Sequence, residues 1–437
     1  MHAREQEVLN KHLERSREGF GALRKYVIDQ KACACCGTCV SMCPSGSIAM
    51  ADDSPELIGE CNDCGVCYMA CPRTFLPMSR MQQWMFGTGE IPPLGSFIEA
   101  QLAGSTSREI LDRAPDGGVV TTVFSHLLDQ GLVDAVITSG KQHDCTWCYH
   151  PRPVVVTEPE FLLECCDKKY DPNPLLTALR DAAGFGRVAF VGLACHVLAL
   201  RKLQYAAHAY QDAHPALAGR AHRLTGNISL VIGLGCICRF GKGKMDVLLK
   251  EFGIGSEQDV ARHIEERVSA DFVYQLKDGR EVRIPQVKVI EYPQPFCYLC
   301  NDFDGYFSDI TIDRSEYQQF NTVLLRNEKG RRIYRQCLEK GLLTTRELPD
   351  EGRDFLEAMV PMLETFVDYD LYGYGHYLET GEFRLDPSIQ QMMGNQESRQ
   401  VRGLPENMFM ELLKKYPQFE FARKKRAELG YENPDYF

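Results

Sequence analysis

Eight cysteines near the N-terminus carry the first chemistry the sequence offers. Cys33, Cys36, Cys39 and Cys43 follow the spacing C-x2-C-x2-C-x3-C, with Pro44 behind them. Cys61, Cys64, Cys67 and Cys71 repeat the run, with Pro72 behind. This is the spacing of paired [4Fe–4S] clusters, in which the last cysteine of each run ligates the other run's cluster. Three thiolates on a tight loop reach three corners of a cubane, and a short helix carries the fourth across. One cluster is therefore expected on Cys33, Cys36, Cys39 and Cys71, and a second on Cys43, Cys61, Cys64 and Cys67. Gly37 and Gly65 are expected where the backbone passes close to inorganic sulfide. Cys35 falls outside the register. Zinc held by C-x-x-C pairs is the competing reading; two complete runs with trailing prolines weigh against it.

A third C-x-x-C, Cys297 and Cys300 in EYPQPFCYLCNDF, cannot complete a four-coordinate site alone. The elements around it supply candidates. From about residue 95 the pattern alternates strand and helix, which points to an α/β core with a largely parallel or mixed sheet. GRVAFVGLACHVLALRKL reads as a buried strand, a turn at Cys195 and a helix. NISLVIGLGCICRFGKGKMDVLLKEFG repeats the plan, with Cys236 at the end of its strand. Ligands in such folds bind beyond the carboxyl ends of the strands. Cys195 and Cys236 are thus the best candidates to join Cys297 and Cys300. Cys238 is the neighbouring alternative, and zinc suits the same four sulfurs.

The expected organisation is a lead-in helix (1–30), a bacterial-ferredoxin-type 2x[4Fe–4S] domain (31–90), the α/β core (91–345) and a C-terminal helical appendage (346–437) suited to wrapping the core or binding a partner. The chain has 437 residues, enough for two or three domains. Nineteen cysteines in a chain of this length point to metal rather than a secreted disulfide scaffold, and nine fall within 33–71. A net charge of −11 disfavours nucleic acid as a partner. No apolar run spans a membrane and no signal peptide is legible, so a cytoplasmic location is expected. There is no Walker A loop and no G-x-G-x-x-G after a strand. Gly117-Gly118 before a helix suits either a phosphate cradle or a plain turn. Cys145, Cys148, Cys165 and Cys166 form a further possible metal group, with buried thiols as the bland alternative. Cys337 reads as a core or surface thiol, and His196 as a packed or solvated histidine beside a proposed ligand.

The stretches GGVVTTVFSHLLDQGLVDAVI, KKYDPNPLLTALRDA, GRVAFVGLACHVLALRKL, VIGLGC, FCYLCNDFDGYFSDITI and NTVLLRNEKG resemble, in order, the beta subunit of coenzyme F420-reducing hydrogenase and its relatives. The resemblance covers roughly residues 95–340. It implies FAD, a third [4Fe–4S] cluster on the Cys195, Cys236, Cys297 and Cys300 set, and a site for F420; the extra cysteine group leaves room for a fourth cluster. Gly117, Gly118, Val119 and Thr121 match a stretch that lies along FAD, and Lys169 and Tyr170 match a pair placed near the flavin. Departures from the family pattern are Asp116 in place of serine, CCDKKY in place of small residues before the lysine–tyrosine pair, and Leu193-Ala194-Cys195 in place of Thr-Pro-Cys. The implied activity is that of an oxidoreductase subunit. It exchanges a hydride between F420 and FAD and passes single electrons to or from a hydrogenase, formate dehydrogenase, heterodisulfide-reductase-like subunit or ferredoxin. The alternatives are a ferredoxin-linked flavin reductase of another organic substrate and a non-catalytic electron relay.

Overall fold

The N-terminal segment builds on two very short helices. In the computed structural model, the lead-in helix α1 (Ala3–Ser16) and a further helical stretch over Phe20–Ile28 precede α2 (Thr38–Met42) and α3 (Val66–Ala70). The structure describes residues 3–348 apart from 30–31, 90, 93, 144–145, 237–238, 266–270, 290–293, 295, 298–301, 303 and 316. Most of the appendage expected over 346–437 lies outside the described residues. Gly37 and Gly65 cap α2 and α3 with φ of 82° and 70°. A Cβ on Gly37 would meet Pro174 O at 2.6 Å, and one on Gly65 would meet Ser16 O at 2.5 Å. Left-handed backbone and protein backbone pressing close already require glycine at both positions.

Thirteen strands are described: β1 (Ile48–Ala51), β2 (Ser54–Leu57), β3 (Glu99–Ser105), β4 (Ala135–Lys141), β5 (Pro151–Val156), β6 (Val188–Leu193), β7 (Ile228–Leu234), β8 (Val260–Glu265), β9 (Phe272–Leu276), β10 (Glu281–Ile284), β11 (Ile310–Arg314), β12 (Asn321–Leu325) and β13 (Leu343–Arg346). Eight of them form one sheet in the order β13-β3-β12-β11-β7-β6-β4-β5. The central four are parallel, and both flanks are antiparallel. The sheet is therefore mixed. β6 and β7 are buried along nearly their whole length, as strands covered on both faces must be.

Helices cover the sheet: α4 (Val119–Asp129), α5 (Ala194–Ala209), α6 (Pro215–Thr225), α7 (Lys244–Glu251) and α8 (Glu328–Glu339). α4 turns Val119, Val123, Phe124 and Leu127 inward at helical spacing. Burying a side chain such as Phe124 contributes about 1.5–3 kcal/mol. Between β7 and β11 the chain inserts α7 and a separate three-stranded sheet, β10-β9-β8.

The N-terminal segment keeps a small apolar cluster of its own, with Phe20, Leu23, Val27 and Ile48, and shares a second with the α/β core. Met42, Tyr68 and Met69 share one cluster with Leu175, Val197 and Leu200 of the α/β core. Two arginines fasten the junction. Arg180 donates to Cys43 O (2.7 Å) and Ser41 O (3.1 Å). Arg220 donates to the same two carbonyls, at 3.1 and 2.8 Å. Both thus satisfy open carbonyls at the end of α2 and oppose the negative end of its dipole. No helix among the described residues is long and apolar enough to cross a membrane.

Candidate functional site

The eight N-terminal thiols fall into two groups. Cys39 faces Cys33, Cys36 and Cys71. Cys67 faces Cys64, Cys61 and Cys43. These are the two crossed sets that the spacing implies. α2 and α3 do the crossing: each begins beside its own run and ends at the cysteine it delivers to the other group. Burial, and then mutual repulsion, pushes Cys36 and Cys67 up to about 12. Thiols so placed ionise only with strong positive charge among them, which suits a metal centre. Four thiolates on a single zinc stand roughly 3.8 Å apart, given Zn–S near 2.3 Å. Among the described residues, the one trio of Cys, His, Asp or Glu ligand atoms within 4.8 Å of one another contains no cysteine. The wider spread of these sulfurs suits a larger inorganic core. Cys43, Cys61, Cys64 and Cys67 also line a cavity of about 270 Å³, measured out to its open mouth.

The core cysteines converge on an arginine. Cys195 sits in the first turn of α5, directly after β6, and Cys236 lies two residues past β7. Arg239 is drawn electrostatically to Cys195, Cys35, Cys297 and Cys236. It is 3% exposed. Its backbone N–H donates to Cys297 Sγ at 3.4 Å. Its Nη2 donates to Ala34 O at 3.4 Å, reaching into the first cysteine run, and its Nη1 lies 3.4 Å from His196 Nε2. Cys195 in turn faces Cys36, so the core set abuts the first N-terminal group. Cys300 and Cys238 lie outside the described residues. Cys35 is buried here, at φ 51°, with Sγ donating to Asp53 O. His196 is packed: its Nε2 bonds Asn173 O at 2.9 Å, and burial lowers its pKa to about 3.

The two stretches expected along a flavin face each other. Thr121 Oγ1 meets Cys166 Sγ at 3.1 Å. Lys168 pairs with Asp116 at 3.3 Å and with Glu265 at 2.6 Å. Tyr170 donates to Glu265 Oε1 at 2.6 Å. Lys169 Nζ donates to Asp167 O (2.7 Å) and Cys165 O (3.0 Å), and burial lowers its pKa. Val119 is fully buried in the core under the sheet, so only its backbone can face a ligand. A Cβ on Gly117 would strike Asn321 N at 2.7 Å and Ala103 O at 2.8 Å, so packing against β3 and β12 already requires glycine there.

Of the extra cysteine group, Cys145 lies outside the described residues. Cys148 is fully buried, with Sγ donating to His150 O at 3.4 Å. Cys165 faces Lys169 and Cys166. Cys337 belongs to the core beneath the sheet.

Comparison with known proteins fixes the family. Residues 100–180 match the N-terminal model of the coenzyme F420 hydrogenase/dehydrogenase beta subunit, and residues 185–351 match the C-terminal model of the same protein. The chain belongs to this family. Coenzyme F420-dependent sulfite reductase of Methanocaldococcus jannaschii is 31% identical over 311 residues, which are 70% of this chain and 46% of that protein. This chain thus spans less than half of that relative. The coenzyme F420 hydrogenase subunit beta of Methanosarcina barkeri is 25% identical over 62% of this chain and 89% of its own length. A chain of the F420-reducing [NiFe] hydrogenase complex from Methanosarcina barkeri shares the fold, with TM-score 0.55 and 23% identity over 65% of this chain and 93% of that one.

Asp116 and Lys168, at two of the positions that the sequence comparison singled out as departures, pair with each other. Sequence pattern points to Lys169 rather than Lys168, because the partner Glu265 lies 97 residues away. Nor does it point to Arg239. An arginine beside a candidate alternative ligand gives no periodic signal, and only the fold shows it among four thiols.

Proposed function

We propose that this chain is an oxidoreductase subunit that exchanges a hydride between coenzyme F420 and FAD and passes single electrons through three [4Fe–4S] clusters to or from a partner redox subunit. The observation that carries the reading is the contiguous order of thiol groups. The core set at Cys195, Cys236 and Cys297 abuts Cys36 of the first N-terminal group, and Cys39 of that group faces Cys67 of the second. A chain of thiols from strand ends to the surface suits one-electron traffic between core and surface. When bound, FAD supplies the exchange between the two-electron chemistry of the deazaflavin and the one-electron chemistry of clusters.

The chain's own residues position and tune. Cys33, Cys36, Cys39 and Cys71 would hold one cluster, and Cys43, Cys61, Cys64 and Cys67 the next. Cys195, Cys236, Cys297 and Cys300 would hold the core cluster, with the Arg239 N–H bonded to one of its sulfurs. Asp116, Lys168 and Glu265 lock the glycine-pair stretch, the lysine–tyrosine stretch and β8 into one unit beside Thr121, so that the flavin would meet a fixed surface. Lys169 would supply positive charge suited to an anionic reduced flavin. The test is oxidation of reduced F420 by the anaerobically purified protein with an artificial one-electron acceptor. Bleached F420 signal with FAD recovered on acid release is the expected result. FAD with no bleaching points to another organic substrate, and no FAD points to a relay; either overturns the proposal.

A further inference from the structure

Among the described residues, the one tight trio of ligand atoms contains no thiol. His143, His150 and Glu257 each bring a ligand atom within 4.8 Å of the other two. Local structure explains the gathering. β4 and β5 pair with Lys141 opposite Pro151, and Gln142 N donates to His150 O at 3.0 Å, closing the hairpin. That register puts His143 and His150 on facing limbs of one loop, where diagonal neighbours are within side-chain reach. Glu257 arrives from the insertion between β7 and β11, on a single 3-10 turn. Ser256 and Asp259 cap that turn reciprocally, with Ser256 Oγ accepting from Gln258 N (3.2 Å) and Asp259 Oδ2 from Ser256 N (3.0 Å). The carboxylate is buried and accepts from Tyr149 N at 3.3 Å.

Two further observations point to a cation. His150 Nδ1 bonds the buried carboxylate of Asp171 at 2.8 Å. This is the outer-shell arrangement that fixes the tautomer of a metal-bound imidazole and leaves Nε2 as the donor atom. The other oxygen of that carboxylate, Asp171 Oδ1, is buried without a partner among the described residues. Charge is also unbalanced. His150 faces Asp171, Glu257 and Asp246, and no lysine or arginine among the described residues pairs with any of the three.

We infer that His143, His150 and Glu257 bind one divalent metal ion, with zinc as the best match to two imidazoles, one carboxylate and a water. Asp171 acts through His150. The site joins the β4–β5 hairpin to the inserted three-stranded sheet. It also reaches the proposed flavin stretch, because Tyr170 N and Asp171 N both donate to Tyr149 O, at 3.1 and 3.2 Å. The inference does not depend on the proposed function, since the site shares no residue with the thiol groups.

The test is metal analysis of the anaerobically purified full chain, read by mass spectrometry and zinc-edge X-ray absorption. About one zinc per chain is expected, with nitrogen and oxygen neighbours, imidazole outer-shell scattering and no sulfur. His143→Ala alters an exposed residue, so folding is retained; it should lose the zinc while iron stays unchanged. Asp171→Asn should retain the site with zinc affinity about 10–100-fold weaker. Three results each overturn the inference: no zinc and no stoichiometric uptake of added Zn²⁺ or Co²⁺ by the iron-loaded protein; zinc with sulfur neighbours; or full zinc occupancy in His143→Ala.

Discussion

Replacing Arg239 by glutamine is expected to lower the midpoint potential of the proposed core cluster by about 120 mV. The guanidinium is buried among Cys195, Cys35, Cys297 and Cys236, and its Nε has no partner among the described residues. Its charge is therefore answered mainly by the sulfurs. A unit charge roughly 6 Å from the cluster, at an effective dielectric constant of about 20, contributes about 2.8 kcal/mol for each added electron. At about 2.3 kcal/mol per 100 mV, this corresponds to about 120 mV. The sign follows from charge: reduction adds an electron, and a lost cation makes the reduced form less favourable. The backbone N–H to Cys297 Sγ survives the substitution, so the shift isolates the side chain. The assay is an EPR-monitored redox titration with iron counted in parallel, and Arg239→Lys should recover part of the shift. A change below about 30 mV, roughly threefold in a one-electron equilibrium, with iron retained, would refute the reasoning.

Cys297→Ser is expected to remove about four irons per chain while the N-terminal pair of clusters is kept; iron analysis with EPR checks this, and full iron retention would refute it. Glu265→Gln should destabilise the fold by about 3 kcal/mol at pH 7. Burial alone would raise this carboxyl, but Lys168, His263 and the Tyr170 hydroxyl hold it down at about 2, from 4.5. Its contribution is therefore present above pH 4.5 and is lost as pH falls toward 2. Denaturant unfolding of wild type and variant should converge over that window. Arg180→Ala with Arg220→Ala leaves the carbonyls of Ser41 and Cys43 without these donors, at a cost on the order of 3 kcal/mol. Faster amide exchange across residues 38–43 is expected, with the α/β core unchanged.

The two cysteine runs are legible in the sequence because each is local; the crossing of their thiols follows from where α2 and α3 end, at Cys43 and Cys71. The central strand–helix order is legible for the same reason: β6, β7 and the helices around them are continuous patterns. What escapes is non-local. β13 and β3 meet across more than 230 residues, and nothing in either strand announces the other. The antiparallel flanks arise from β4–β5 and β11–β12, which no crossover helix separates. Gly37 and Gly65 are recognisable as required positions, but the contacts of Pro174 and Ser16 that also demand them come from outside the runs. Asp116 looks like a simple departure until Lys168 is placed beside it. His143, His150 and Glu257 carry no motif, as two share a hairpin and the third lies 107 residues beyond.

The depth at which each thiol group sits sets an order of vulnerability to air. In the outer group Cys61 and Cys64 are both half-buried and line a pocket at the surface, whereas in the group behind it only Cys33 is half-buried and Cys36, Cys39 and Cys71 are buried. Oxidants reach exposed sulfur first. Corrosion should therefore begin at the outer end and advance inward, like rust along a rod, with the group at Cys61 and Cys64 bleaching before the one behind it. A briefly aerated sample would then be an interrupted conductor rather than a uniformly dead one, sound at its root and severed at its tip.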